Sequence, residues 1–271
     1  MIVSPGPMLA PTPRPFGLVN WIGVGALFWR GLSRILKDYR DTLLGMAASS
    51  LLFLAVFHFA FGADGAEMAG LPMLRFLAPG LIAAAICQQA FDAGSIMLVF
   101  DKMEGIFADV LMAPLTTAER GGAMVLAATA GALLSGATVL AAFLPFVPLA
   151  PVAPAALLFF AAAGALMHGL LGTLVGLWAR RWDHYQAAAT FVVMPLAYLS
   201  GAFYSIESLP PIGQWLVRFN PVFYVIDGVR YGFTGQAEGS GAVGAVFLLA
   251  VNAALWFALH RLLGRGWRTK S

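Results

Sequence analysis

Long apolar stretches alternate with short charged segments along almost the whole chain. A helix needs about 20 apolar residues to cross about 30 Å of hydrocarbon. Such stretches occur at residues 42–61, 76–100, 121–144, 153–179, 187–203 and 241–260. The alternating ten-residue segments of an outer-membrane barrel are absent from the sequence. The pattern therefore predicts an all-α integral membrane protein with six transmembrane helices.

A basic amphipathic segment precedes the first predicted span. Residues 28–40 read FWRGLSRILKDYR. Apolar side chains at helical spacing are interleaved with cations: Phe28, Leu32, Ile35 and Leu36 with Arg30, Arg34, Lys37 and Arg40. A helix of this kind lies in the membrane interface with its cations toward lipid headgroups. The alternative is a solvated basic segment without that role.

The segment between the second and third spans reads FDKMEGIFADVLMAPLTTAER, residues 100–120, and carries six charges. Its apolar residues fall on one stripe of a helix: Met103, Ile106, Phe107, Val110 and Leu111. Pro114 would end this helix, and Thr116 with Glu119 forms a capping-box pattern that starts the next one. The sequence predicts a short amphipathic helix with defined ends.

This amphipathic helix could float in the membrane interface or present a surface to a partner. Asp101, Glu104 and Asp109 would be repelled by anionic lipids. A soluble protein is therefore the better partner.

Polar residues also occur inside the predicted spans. Gln88, Gln89 and Asp92 lie in the second span, where a carboxylate is costly and marks a possible intramembrane polar site. A structural hydrogen bond from Asp92 to a neighbouring helix is the alternative. In the fourth span, small residues at intervals of four flank His168, which favours close helix packing and an interhelical hydrogen bond of that histidine.

The segment between the fifth and sixth spans is too long for a simple turn. One apolar helical stripe comprises Ile212, Trp215, Leu216 and Phe219. Asn220 can then cap a new helix that has Pro221 in its first position. Two short helices are predicted to meet at this junction and to dip back into the outer leaflet, with Asp227 and Arg230 forming a partly desolvated pair.

Composition supports the membrane assignment, since 60% of the residues are hydrophobic and 11% are charged. With the N-terminus in the cytoplasm, 13 of the 16 lysines and arginines fall on the cytoplasmic side and Arg75, Arg218 and Arg230 outside. The net charge of +3 thus needs no nucleic-acid partner. Residues 1–27 are predicted to be a flexible Pro-rich cytoplasmic tail, 28–266 the transmembrane domain and 267–271 a second cytoplasmic tail.

No catalytic, metal or cofactor site is expected in this chain. The four histidines are scattered, and none of the three lysines follows a glycine as a phosphate-binding P-loop requires. Cys87 is the single cysteine, so an intrachain disulfide is impossible. An energy source, if one is used, must come from another polypeptide.

Two motifs resemble ABC-2 type transport permeases. EGIFADVLMAPLTTAER, residues 104–120, is similar to the cytoplasmic signature of that family, and SLPPIGQWLVRFNPVFYVIDGVRYGFTG, residues 208–235, looks like its re-entrant outer region. The first motif supplies the residues that the resemblance assigns to ATPase coupling: Glu104, Gly105, Ile106, Phe107, Asp109, Leu111, Pro114, Leu115 and Glu119. The second supplies Asn220, Pro221, Asp227 and Arg230.

The resemblance implies an exporter permease of the nodulation, polysaccharide or drug-export type in the bacterial inner membrane. It would work with a second permease copy, membrane lipids and separate ATPase subunits that bind ATP and Mg, inserting a coupling helix into each ATPase. An amphiphilic, lipid-linked or glycan substrate would be moved. An ion-coupled secondary transporter is the alternative, but only Asp92 is available as an intramembrane ion-binding carboxylate. A membrane enzyme would need clustered catalytic residues, and none cluster in the sequence.

Overall fold

The computed structural model describes residues 17–61 and 67–266, and this part of the chain is almost entirely helical. The helices are α1 Trp21–Lys37, α2 Gly45–Phe61, α3 Met73–Met103, α4 Phe107–Met112, α5 Thr117–Phe143, α6 Pro154–Trp178, α7 Trp182–Ala188, α8 Met194–Tyr198, α9 Pro211–Arg218, α10 Pro221–Thr234 and α11 Gly241–Gly264. Two-residue strands, β1 Glu67–Met68 and β2 Leu71–Pro72, pair antiparallel just before α3.

Five helices within the described ranges are long and apolar enough to cross a membrane, which confirms an all-α membrane protein. They are Arg40–Ala60, Met73–Met103, Thr117–Phe143, Pro154–Trp178 and Gly241–Gly264. The predicted fifth span is occupied by α7, a π-helical turn at Ala189–Val193 and α8, after which the chain turns. This helical segment is shorter than the other five, so a sixth crossing stays a prediction.

The first helix begins earlier than expected. The α1 helix starts at Trp21 because the Asn20 side chain caps it, accepting a hydrogen bond from the Gly23 N–H at 3.0 Å. It ends at Lys37, so Arg40 lies in the π-helical turn Arg40–Leu44 that leads into α2. Residues 21–27, predicted to be part of the flexible tail, thus lie in α1, and the division into tail and membrane domain stays a prediction. Residues 1–16 and 267–271 lie outside the described part of the chain.

The α3 helix forms the centre of the molecule and is buried along most of its length. It packs closely against α6 through glycines, as the small-residue pattern predicted. A Cβ on Gly172 would lie 2.2 Å from the Phe91 carbonyl oxygen, and one on Gly94 would lie 2.6 Å from the Gly169 carbonyl oxygen. The two backbones can approach this closely only because these positions carry no side chain.

The predicted interhelical hydrogen bond of His168 was wrong. His168 is buried, and its Nδ1 lies 3.0 Å from the carbonyl oxygen of Gly164, one turn earlier in the same helix. A side chain in a tightly packed helix can reach the carbonyl of residue i−4 without crossing to a neighbour. The Nδ1 atom of His168 thus has its hydrogen-bond partner within the same helix.

The junction between α9 and α10 follows the sequence prediction. The Val222 N–H donates to Asn220 Oδ1 at 3.0 Å, and Pro221 is the first residue of α10. The Asn220 side chain also donates to the Leu196 carbonyl oxygen at 2.7 Å, which ties the junction to α8. The apolar stripe of α9 is exposed on the surface of the chain: Ile212, Trp215, Leu216 and Phe219. Its insertion into the outer leaflet stays a prediction.

Candidate functional site

The segment between α3 and α5 consists of a turn and the short helix α4. Gly105 has φ of 76°, a left-handed conformation that ends α3 and that glycine adopts without strain. The predicted continuous stripe was therefore wrong: Met103 and Ile106 are 57% and 39% exposed, because the break at Gly105 interrupts the helical periodicity. Phe107 and Val110 are buried and anchor α4.

Arg120, in the first turn of α5, holds the end of α4 in place. Its Nε donates to the Val110 carbonyl oxygen at 3.2 Å, and its Nη2 donates to the carbonyl oxygens of Leu111 at 3.1 Å and Leu115 at 3.2 Å. These carbonyls belong to the last turn of α4 and the loop after it, where no intrahelical donor remains. The buried guanidinium thus clamps α4 and its loop to α5.

The start of α1 is bound to the same place. The backbone N–H of Asn20 donates to Glu119 Oε1 at 2.7 Å, and its side chain donates to the Pro114 carbonyl oxygen at 3.1 Å. Glu119 Oε2 accepts from the Thr116 N–H at 2.7 Å, and the Glu119 N–H donates to the Thr116 hydroxyl at 3.2 Å. The predicted capping box is confirmed, and Glu119 also joins α1 to α5.

Two further charges of this segment are bound inside the chain. Asp101, at the end of α3, is buried and forms a salt bridge with Arg30 of α1, with Arg34 3.9 Å away. Lys102 donates to carbonyl oxygens at the end of α6, including that of Gly176 at 2.8 Å. The α1, α3, α4, α5 and α6 helices are therefore linked at one end of the molecule.

Glu104 and Asp109 differ from the other four charges of this segment. Both are exposed, and within the described ranges neither side chain forms a hydrogen bond or ion pair. Beside them, an open groove of about 850 Å³ runs between the start of α1 and α4. Its walls are mainly apolar and include Trp21, Ile22, Ile106, Val110 and Leu115. The outcome is a rigidly held helix with two free carboxylates next to an apolar groove.

A second polar cluster lies at the opposite end of α3 and surrounds Arg230. The predicted direct pair of Arg230 with Asp227 was wrong. Arg230 Nη1 lies 3.4 Å from Glu238 Oε2, and its Nη2 donates to the Gly201 carbonyl oxygen at 2.6 Å. Its Cζ also lies 3.7 Å from the centre of the Phe76 ring. Glu238 becomes the partner because the left-handed Gly235 ends α10 and turns the chain back over it.

Asp227 uses its carboxylate differently. Its two oxygens accept hydrogen bonds from the Glu238 N–H at 2.8 Å and the Gly239 N–H at 2.9 Å. Burial raises the pKa of Asp227, against the lowering effect of these two amides and of the nearby Arg230 charge. Burial likewise lowers the pKa of Arg230, against the attraction of Glu238 and Asp227. Asp227 thus binds the backbone of the loop after α10, and Arg230 binds the Glu238 side chain of the same loop.

Of the three polar residues predicted at membrane depth in α3, Gln88 and Asp92 form hydrogen bonds with their side chains. Asp92 accepts hydrogen bonds from Gln88 Nε2 at 3.0 Å and from the Tyr185 hydroxyl of α7 at 2.7 Å. The predicted structural bond to a neighbouring helix is thus present. Gln89 is buried on the same helix, yet within the described residues its side chain has no hydrogen-bond partner.

Sequence reasoning missed the partners Glu238 and Tyr185 and the clamp at Arg120. An arginine in the first turn after a proline-broken helix is a usable local signal for such a clamp, because the carbonyls it can bind lie only 5 to 10 residues earlier. For Glu238 and Tyr185 the sequence offers no comparable signal.

Comparisons with known proteins place these features in one context. The family model of the ABC-2 type transporter matches residues 23–234. The inner membrane transport permease YadH of Escherichia coli K12 is 29% identical over 253 residues, which cover 92% of this chain and 98% of YadH. Nodulation protein J of Rhizobium leguminosarum bv. trifolii is 30% identical over 230 residues, 81% of this chain and 83% of that protein. The family match includes α4, Arg120 and the whole of α10.

Proposed function

Because this chain belongs to the ABC-2 type transporter family, we propose that it is the permease subunit of an ATP-driven exporter. The chain is a transmembrane transporter subunit, and its permease relatives together with its apolar helices support a multi-pass protein of the bacterial inner membrane. The export direction, the partners and the substrate are the proposed part.

The observation that carries the proposal is the clamped α4 helix. Movement of a docked ATPase can reach the spans only through a link that does not bend. Arg120 fastens the end of α4 to α5, and Asp101 with Arg30 fastens the end of α3 to α1. A force applied at α4 would therefore act on several helices at once.

The contact with the ATPase would use the free charges and the adjoining groove. Glu104 and Asp109 are exposed on the turn and on α4, and the groove between α1 and α4 offers apolar surface beside them. Charged groups fix the register of a contact, while buried apolar groups supply most of its stability. Ile106, predicted on the apolar stripe and among the coupling residues, lines the groove and would belong to the contact surface.

ATP and Mg would be bound by the ATPase subunits, and a second copy of this permease would complete the transmembrane pathway. The 13-to-3 distribution of lysine and arginine supports cytoplasmic N- and C-termini with α4 on the cytoplasmic side. The substrate class would be an amphiphile, a lipid-linked molecule or a glycan. Ion-coupled transport has less support, because the Asp92 carboxylate already accepts hydrogen bonds from Gln88 and Tyr185.

A double charge reversal tests the contact. Glu104→Lys with Asp109→Lys should reduce the amount of co-expressed ATPase that co-purifies with the permease by at least about tenfold, since mismatched charges oppose docking. Transport in vesicles should fall in parallel. The melting temperature of the isolated permease should not change, because neither side chain has a partner within the described chain.

The matched control is Asp183→Lys with Glu207→Lys, which changes the net charge equally at exposed positions away from α4. It should co-purify the ATPase as the wild type does. Normal ATPase binding by the Glu104 and Asp109 variant, or an equal loss in the control, would refute the proposed contact. ATP hydrolysis by the purified permease alone would refute the proposal that separate subunits hydrolyse ATP.

A further inference from the structure

At the end of the molecule that carries α4, residues from three separate segments form one surface of cations and aromatic rings. The Arg34 guanidinium of α1 lies 5.1 Å from the centre of the Phe100 ring, near the end of α3. The centre of the same ring is 5.4 Å from that of Trp182, the first residue of α7. Arg181 immediately precedes Trp182 and is exposed. These four residues form what we call the basic aromatic surface.

The guanidinium groups of this surface carry charge that the chain does not neutralise. The Asp101 carboxylate next to Arg34 already forms a salt bridge with Arg30, and Arg34 Nη1 remains 3.9 Å from Asp101 Oδ1. Within the described residues Asp101 Oδ2 has no hydrogen-bond partner, so Arg34 is not bound to that oxygen either. Arg181 lies 3.8 Å from Asp183, but their side chains are 71% and 77% exposed, so water screens the pair.

The neighbouring charges do not cancel this excess. Asp38 and Asp41 are exposed just after α1. The exposed cations Lys37 and Arg40 adjoin them in the chain and offset their charge. On the other side of the surface, Arg180 is exposed and forms no ion pair within the described ranges. The segments around the basic aromatic surface therefore carry more cations than carboxylates.

Two tryptophans indicate that this surface lies at the boundary of the membrane. Trp178 is the last residue of α6, and it and Trp182 are 40% and 38% exposed. Tryptophan is enriched where hydrocarbon meets the lipid headgroups. Both α3 and α6 are long and apolar enough to cross a membrane, and Lys102 joins their ends at this level. Cations beside apolar rings at this depth match a phosphate attached to acyl chains.

Other anionic partners fit the surface less well. The proposed ATPase contact includes the free carboxylates Glu104 and Asp109, which a basic partner surface would complement. Arg34 and Arg181 would repel such a surface. Free phosphate would match the two guanidinium groups but would make no use of the adjoining rings.

We propose that the basic aromatic surface binds an anionic phospholipid of the phosphatidylglycerol type, with its phosphate bonded to Arg34 and Arg181 and its glycerol and upper acyl chains against Phe100 and Trp182. Arginine is suited to this contact, because its planar group can bind a phosphate through two N–H groups. The site depends on contacts that join α1, α3 and α7, which are distant in sequence. Lipid binding here needs neither the ATPase nor a transported substrate, so it can fail independently of the proposed export function.

Native mass spectrometry of the purified permease tests the site. It measures the Kd of phosphatidylglycerol and that of phosphatidylcholine with the same acyl chains, and the wild type should bind phosphatidylglycerol more tightly. Arg34→Gln with Arg181→Gln should weaken phosphatidylglycerol binding by about thirtyfold, which corresponds to about 2 kcal/mol for two cations. Phosphatidylcholine binding should not change. Arg75→Gln with Arg218→Gln, the same charge change at exposed positions near the start of α3 and at the end of α9, should leave both Kd values unchanged.

A second variant separates lipid binding from damage to the fold. Arg34→Lys with Arg181→Lys keeps both charges and should keep most of the preference for phosphatidylglycerol. Thermal unfolding in nanodiscs gives an independent measurement. Adding phosphatidylglycerol to phosphatidylcholine discs should raise the melting temperature of the wild type, the lysine variant and the control, but not that of the glutamine variant.

Several results would overturn the proposal. One is equal phosphatidylglycerol binding by the wild type and the glutamine variant, and another is an equal loss in the control or in the lysine variant. Displacement of the lipid by inorganic phosphate would assign the surface to a soluble anion. Loss of ATPase co-purification in the glutamine variant, with phosphatidylglycerol binding unchanged, would assign it to the ATPase instead.

Discussion

Two buried arginines, Arg120 and Arg230, lie near opposite ends of α3 and are satisfied in different ways. Arg120 donates to carbonyl oxygens of α4 and its loop, and no carboxylate within the described ranges binds it. Arg230 combines a carboxylate, Glu238, with two carbonyl oxygens and the face of the Phe76 ring. One arginine is bound by backbone alone, and the other by a complete cluster of side chains and backbone.

The difference indicates what each end of the molecule does. The Arg230 cluster closes a loop over α10 and joins it to α3, and the charged groups Arg230, Glu238 and Asp227 each have a bonding partner in it. The Arg120 clamp binds carbonyl oxygens at the end of α4 and leaves Glu104 and Asp109 exposed. A cluster whose charged side chains are all paired is suited to stability, whereas a clamp under an exposed surface is suited to transmitting force. Substitutions should separate these two roles.

The largest effect is expected at the Arg230 cluster. Arg230→Ala removes the cation that forms the salt bridge with the buried Glu238 carboxylate. This loss should lower the free energy of unfolding by about 3–5 kcal/mol. Glu238→Gln should also be strongly destabilising, because it leaves the buried guanidinium without its carboxylate. Thermal unfolding of purified protein in nanodiscs measures both.

Arg218→Ala is the control for Arg230, since Arg218 is exposed at the end of α9 and forms no ion pair within the described ranges. It should unfold at the wild-type temperature. If Arg230→Ala were as stable as this control, the cluster would be solvated and the contrast with Arg120 would disappear.

An intermediate effect on stability, with a large effect on coupling, is expected at Arg120. Arg120→Ala leaves the carbonyls of α4 and its loop without their donor, but water can replace it at the half-exposed loop, so we expect a loss of about 1–3 kcal/mol. Hydrogen exchange of residues 104–116 should rise, and transport should fall more than ATPase binding.

Arg180→Ala, at an exposed position after α6, is the comparison for Arg120. It should change neither exchange in 104–116 nor transport. Normal transport in Arg120→Ala, with protection of 104–116 intact, would show that α4 is held by Phe107 and Val110 alone.

The smallest effect is expected at the capping box. Thr116→Ala removes the hydroxyl that accepts from the Glu119 N–H and should cost about 1 kcal/mol. Thr117→Ala changes the neighbouring threonine, which is the first residue of α5 rather than its cap, and should cost less. Equal melting temperatures for the two variants would mean that Asn20 and Arg120, rather than the cap, determine where α5 begins.

Much of this architecture was readable from short stretches of sequence. Five of the six predicted spans, the capping box at Thr116 and Glu119, and the cap at Asn220 with Pro221 are all present. Each depends on a continuous apolar run or on residues two or three positions apart. The site was less readable: Met103, Ile106 and Phe107 were predicted on one apolar stripe, but only Phe107 is buried, because Gly105 with its positive φ interrupts the helix.

The sequence by itself determined that the chain is a helical membrane protein and where most helices begin, because apolar length and local capping need no distant partner. Only the tertiary structure decided that Arg230 binds Glu238 and stacks on Phe76, and that Asp92 binds Tyr185. Asp92 and Tyr185 are 93 residues apart, and Arg230 and Phe76 are 154 apart. Buried polar groups take whichever partners the packed helices bring within reach, and helical periodicity carries no information about which distant residue that will be.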